Sequence, residues 1–95
     1  MVGLLLVVHV QADKRQEFIQ SLTSLAPRDG STITHTLLQG IDNANLICLM
    51  ATFQDPHDLS AYLQSRRFQA LRGAITVLGY LQDLQVVEFH PVAID

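Results

Sequence analysis

The residues of this 95-residue chain that could do chemistry are four histidines, one cysteine, a helical tyrosine and an arginine set apart from its basic neighbours. His9, His35, His57 and His90 stand on separate stretches, without the His-x-x-x-His or His-x-Glu spacing that brings two ligands to one ion. No metal site is expected. His9 and His35 interrupt apolar or alternating strand segments, where an imidazole needs a hydrogen-bond partner and can exchange a proton near neutral pH. His57, beside Pro56 in a first helical turn, is expected in solvent. Tyr62 projects from the apolar face of a helix towards a sheet, either as a packing aromatic or as a phenol that contacts a ligand. Arg72, one turn beyond Phe68, could hold an anionic phenolate or semiquinone at a pocket rim, whereas Arg66 and Arg67 are expected in solvent. Cys48, flanked by Leu46, Ile47, Leu49 and Met50, reads as a core thiol rather than a nucleophile. The serines lack a recognisable base arrangement and there is no glycine-rich phosphate loop, which disfavours hydrolases and nucleotide-dependent enzymes.

The elements that must position these groups follow from periodicity. Gly3 to Val10 is apolar at nearly every position, as a strand covered on both faces and central in its sheet would be. Asp13 with Gln16 forms a capping-box pattern for a helix whose apolar stripe is Phe18, Leu22 and Leu25, closed by Pro27 and Asp29-Gly30. Thr32 to Gln39 and Leu46 to Phe53 are two antiparallel strands joined through Gly40, Asp42, Asn43 and Asn45. Asp55 then caps a helix with Pro56 at its first position and Leu59, Tyr62 and Leu63 on one face. Ser65 caps the next, whose stripe of Phe68, Leu71, Ile75 and Leu78 runs to Gly79. Leu84 to Val92 alternates as an edge strand, weakened at its outer end by Pro91.

The resulting order, β-α-β-β-α-β, is that of a ferredoxin-like α+β fold with an antiparallel sheet and helices on one face, in a single domain spanning 1–95. Hydrophobic residues make up 48% and charged residues 16%, too apolar for a domain this small to cover its own surface. Both faces of the first strand are apolar, yet one helical layer can cover only one of them. A face-to-face homodimer is expected to cover the other. A net charge of −3, with six Lys and Arg, supplies no basic stripe for nucleic acid. The apolar run Val2 to Val8 is too short for a membrane span and lacks signal-peptide flanks, and one cysteine suits a reducing cytoplasm.

The run DPHDLSAYLQSRRFQALRGAITVLG followed by LQVVEFHP resembles the antibiotic biosynthesis monooxygenase superfamily of dimeric α+β barrels. The Leu59, Tyr62, Leu63, Ser65 pattern, then Phe68 and a small-residue helix ending at Gly79, carries the likeness. The opening strand, ADKRQEFIQSL and Gly30 extend it over the whole chain. The resemblance implies an apolar pocket between sheet and helices, with Phe53 at the place of a frequent strand-end Trp and Tyr62 at that of a helix His. Leu6, Phe53 and Arg72 stand where haem-degrading relatives carry Asn, Trp and a haem-ligating His, so haem chemistry is unsupported. The function it implies is a cofactor-independent monooxygenase acting on a quinol or phenol. Tyr62 and Arg72 would orient the oxyanion, His9 or His35 would accept a proton, and Phe53, Phe68 and Leu6 would line the pocket. The alternative is a non-enzymatic ligand-binding or interaction module on the same dimeric fold.

Overall fold

The computed structural model describes residues 1–26 and 32–88. Strand β1 (Val2–Val10) leads through one 3₁₀ turn (Ala12–Lys14) into helix α1 (Arg15–Leu25). Strands β2 (Thr32–Gln39) and β3 (Leu46–Phe53) follow, then helices α2 (Pro56–Leu63) and α3 (Arg66–Leu78) and strand β4 (Gly79–Glu88). The sheet order is β2-β3-β1-β4, with every neighbouring pair antiparallel. Expected β1 is central and expected β4 lies at an edge.

Pairing fixes which side chains share a face. Leu4 lies opposite Ala51, Leu6 opposite Leu49 and Val8 opposite Ile47, and all six are buried. They form one core with Phe18 and Leu22 of α1, Leu59 and Tyr62 of α2, and Phe68, Leu71, Ile75 and Leu78 of α3. The alternate residues Leu5, Val7, Leu46, Cys48 and Met50 point to the opposite, open face, where they remain half-buried or exposed. Cys48 is therefore not a core thiol: the strand's period of two turns it away from the helices, although neighbouring strands bury it enough to push its thiol pKa up.

The helix starts are set by short polar contacts. Asp55 accepts from the His57 backbone N–H at 2.8 Å, with Pro56 at the first helical position. The Ser65 hydroxyl accepts from the Phe68 N–H at 3.1 Å, breaking α2 from α3 where the sequence places the break. The capping box at Asp13 does not form. The Lys14 N–H donates to the Gln11 carbonyl at 2.9 Å, which draws Asp13 into the 3₁₀ turn, and α1 starts at Arg15 without a side-chain cap. Asp55→Ala is expected to lower stability by about 1 kcal/mol at unchanged m-value, read from the urea midpoint.

The last strand begins at Gly79 rather than Leu84. The Gln11 N–H donates to the Leu78 carbonyl at 2.9 Å and Val10 pairs with Gly79, so α3 passes into the sheet without a loop. The expected stretch beyond Glu88, with His90 and Pro91, and the turn at Pro27 and Asp29-Gly30 lie outside the described residues.

Candidate functional site

Two groupings of chemically interesting residues form near opposite ends of β1. At the end where Val2 pairs with Phe53, the rings of Phe53, Tyr62 and Phe68 make an aromatic cluster. Tyr62 lies 6.1 Å by centroid from Phe53 and 5.4 Å, edge-on, from Phe68. Leu59 and Tyr62 are one turn apart on the buried stripe of α2, which is why the phenol ring enters the core. Its hydroxyl donates to the Leu25 carbonyl at 2.9 Å. Arg67 Nη1 donates to the neighbouring carbonyls of Ser24, at 2.8 Å, and Ala26, at 3.3 Å. Three consecutive carbonyls at the end of α1, where the helix leaves acceptors without intrahelical donors, are thus taken by side chains of α2 and α3. Arg67 is not merely a solvent residue, because its guanidinium compensates the negative end of α1.

Burial pushes the Tyr62 phenol up to about 12, with the Arg67 charge pulling the other way. The folded protein holds this proton more tightly than the unfolded chain does. The associated stability is therefore complete below pH 10, declines between about 10 and 12, and is lost above. With solvent screening allowed for, it amounts to roughly 1–2 kcal/mol. Tyr62→Phe is expected to cost about 1 kcal/mol at neutral pH and to remove this alkaline decline, measured as the difference in urea midpoint from the wild type across pH 8 to 12.

The second grouping lies where α3 passes into β4. Arg72, Ile75, Thr76, Gly79, Tyr80 and Leu81 line a cleft of about 170 Å³. Arg72 and Thr76 are one turn apart on the outward face of α3, and the Thr76 hydroxyl donates to the Arg72 carbonyl at 3.0 Å. Among the described residues the Arg72 guanidinium has no carboxylate or carbonyl partner. Tyr80, 60% exposed, stacks on His9 with centroids 5.1 Å apart and planes 18° from parallel. The two rings meet because His9 and Tyr80 are paired across β1 and β4 on the open face.

The expected site residues thus separate. Arg72 lies on the helix side of β4 and His9 stacks on Tyr80 over the open face, while Phe53, Phe68 and Tyr62 form the cluster roughly 20 Å away along β1. Leu6 is fully buried between them. His35 lies exposed on β2, opposite Ala51, with β3 and β1 between it and β4. His57 is exposed, as expected. Among the described residues no group of three or more His, Cys, Asp or Glu side chains could hold a metal, and no helix is long and apolar enough to cross a membrane.

This backbone arrangement is shared with solved structures. A Deinococcus radiodurans protein named for the antibiotic biosynthesis monooxygenases superposes with a TM-score of 0.81 at 13% identity, over 100% of this chain and 97% of that one. The chain has the antibiotic biosynthesis monooxygenase fold. A further crystal structure bearing that monooxygenase name has a TM-score of 0.79 at 14% identity, covering 98% of this chain and 100% of its own. A conserved Bacteroides thetaiotaomicron protein of unknown function, described as a possible oxidoreductase, gives 0.81 at 20% identity, over 93% and 96%. No protein-family model matches the sequence, and no curated protein matches it.

On this monooxygenase fold, two contributors escaped the sequence reading. Tyr80 sits in GYLQDL, between the helix end read at Gly79 and the strand expected from Leu84. Arg67 acts on a helix more than forty residues earlier in the chain, a contact that no local period encodes. The detectable signal for Tyr80 was an aromatic directly after the helix-ending glycine.

Proposed function

We propose that the protein is a homodimeric, cofactor-independent monooxygenase of the antibiotic biosynthesis type, acting on a small electron-rich aromatic such as a phenol or quinol. The observation that carries this reading is the Arg72 guanidinium, without a protein partner among the described residues, beside an accessible cleft walled by the apolar side chains of Ile75 and Leu81. A substrate ring would lie against the apolar side chains of Ile75 and Leu81. Arg72 would stabilise its oxyanion and the proton released on ionisation would pass to solvent at the cleft mouth, because His9, stacked on Tyr80 over the opposite sheet face, does not line the cleft. The electron-rich anion would then reduce oxygen itself, the protein supplying orientation and removal of water. Phe53, Phe68 and Leu6 hold the interior against which α3 is set, and Tyr62 anchors α2 to α1. The open sheet face supports the homodimer, and the lone cysteine supports a reducing cytoplasm.

Oxygen consumption with a panel of quinols and phenols tests the reading. Turnover that falls by roughly 10²-fold or more in Arg72→Ala and is kept in Tyr62→Phe would support it. Absence of turnover with every member of the panel would sink it.

One observation favours a second reading, a ligand-binding module without turnover. The Tyr62 hydroxyl, the polar group most enclosed by apolar rings, is already committed to Leu25. Ligand binding at the Arg72 cleft without oxygen uptake would establish that alternative.

A further inference from the structure

We propose that the cleft between α3 and β4 selects a single-ring aromatic carboxylate, of the hydroxybenzoate kind, over neutral phenols and over polycyclic aromatics. This rests on the reading of that cleft as the ligand site, but not on turnover there. Size comes first. The cleft measures about 170 Å³. A cavity of ~150 Å³ already accommodates benzene, whereas sites for larger, drug-sized molecules start near ~300 Å³. One ring with a small substituent fills the cleft, whereas a fused tricycle would leave most of its surface projecting from the open side.

Charge comes second. Arg72 presents a planar guanidinium without a protein partner among the described residues, and its fork matches a carboxylate in bidentate geometry. A benzoate is ionised throughout the neutral range. A simple phenol, titrating near 10 like tyrosine, stays almost wholly neutral there and leaves the guanidinium without a counter-charge. Thr76 shares Arg72's face of α3 one turn on, and its proton is already given to the Arg72 carbonyl. Its oxygen is therefore left to accept, which suits a ring hydroxyl.

Rigidity comes third. The backbone of Gly79 to Leu81 along the cleft is tied to β1 by the Val10 to Gly79 pairing and the Gln11 to Leu78 hydrogen bond, and on the opposite face the Tyr80 ring is held by its stack on His9. A ring packed on Ile75 and Leu81 would therefore meet a surface already in place, which lowers the ordering cost of binding.

The test is equilibrium binding by calorimetry in oxygen-free buffer, so that turnover plays no part. The ligands are benzoate, 4-hydroxybenzoate, phenol and anthracene-2-carboxylate, with shifts of backbone amide resonances locating the site. The expected result is that both single-ring acids bind, with shifts centred on Thr76 to Leu81, while phenol and the tricyclic acid bind at least about tenfold more weakly. Arg72→Gln should weaken benzoate by about tenfold. Thr76→Ala should weaken only 4-hydroxybenzoate. Both substituted residues lie on the surface of α3, and unchanged resonances elsewhere will report an intact fold. Equal benzoate affinity in the wild type and Arg72→Gln would overturn the proposal, as would binding of the tricyclic acid at least as tight as that of benzoate. No binding of either single-ring acid at millimolar concentration would also overturn it. Binding as expected without oxygen uptake in air would leave the proposal standing and remove the oxygenase reading. Oxygen uptake with quinols without carboxylate binding would do the reverse.

Discussion

Leu5→Glu is expected to split the protein into monomers. Leu5 lies on the open sheet face beside Met50 of β3 and Gln85 of β4, among Val7, Cys48 and Leu46. If two copies meet across this face, a two-fold relation buries one new carboxylate from each chain. An unpaired charge sealed in an interface costs about 3–5 kcal/mol, and here the cost is met twice. Sedimentation at micromolar concentration should give a dimer for the wild type and half that mass for the variant, with far-ultraviolet dichroism retained. A wild type that sediments as a stable monomer would refute the dimer. So would a Leu5→Glu variant that sediments like a dimeric wild type. The interface needs more than about 1,000 Å² of buried surface to hold an obligate pair.

The second large effect is expected at the junction of α3 and β4. A Cβ on Gly79 would clash with the His9 carbonyl oxygen and lie 2.8 Å from the Val10 Cα, both backbone atoms of the central strand. Neither can rotate away, so Gly79→Ala must push β4 off β1. Overpacking of this kind costs about 3 kcal/mol and should lower Tm by roughly 10–20 °C. Gly73→Ala provides the opposite sign within the same helix. Nothing lies within 4 Å of its Cβ, and alanine gains about 1 kcal/mol of helix propensity. Equal midpoints for the wild type and Gly79→Ala would show that the two strands do not approach so closely.

Elements with strong local signals were legible in the sequence, and contacts made across the fold were not. The doubly apolar β1, the hairpin between β2 and β3, and the caps at Asp55 and Ser65 each follow from a few adjacent residues, and the structure places them where the pattern does. Asp13 failed because two local preferences compete there and the hydrogen bond from Lys14 to Gln11 places it inside a 3₁₀ turn instead. The candidate site was legible in its ingredients but not in its grouping. His9 and Arg72 stand 63 positions apart in the chain, and the pairing of His9 with Tyr80 sets the imidazole on the open face, away from the cleft that Arg72 lines. Tyr62 looked free to meet a ligand because nothing near it in sequence reveals that the last turn of α1 would present Leu25 to its hydroxyl.

The register of β4 against β1 shifts once. Leu84 faces Leu6 and Leu81 faces Val8, so Gln82 is an extra residue with no partner on β1. Counting backwards from Leu84 by twos, Tyr80 would belong to the helix-facing side and Leu81 to the open side. The inserted residue inverts that parity and sends the tyrosine ring out over His9 while Leu81 turns in to floor the cleft. The strand is in effect two half-strands of opposite phase, each turning one leucine, Leu84 and Leu81, towards the core. A lineage that lost one residue here would keep a paired edge strand but exchange the roles of its leucine and tyrosine. The presence of this single supernumerary residue is therefore a compact marker for telling chains that retain the Arg72 cleft from chains that merely share the fold.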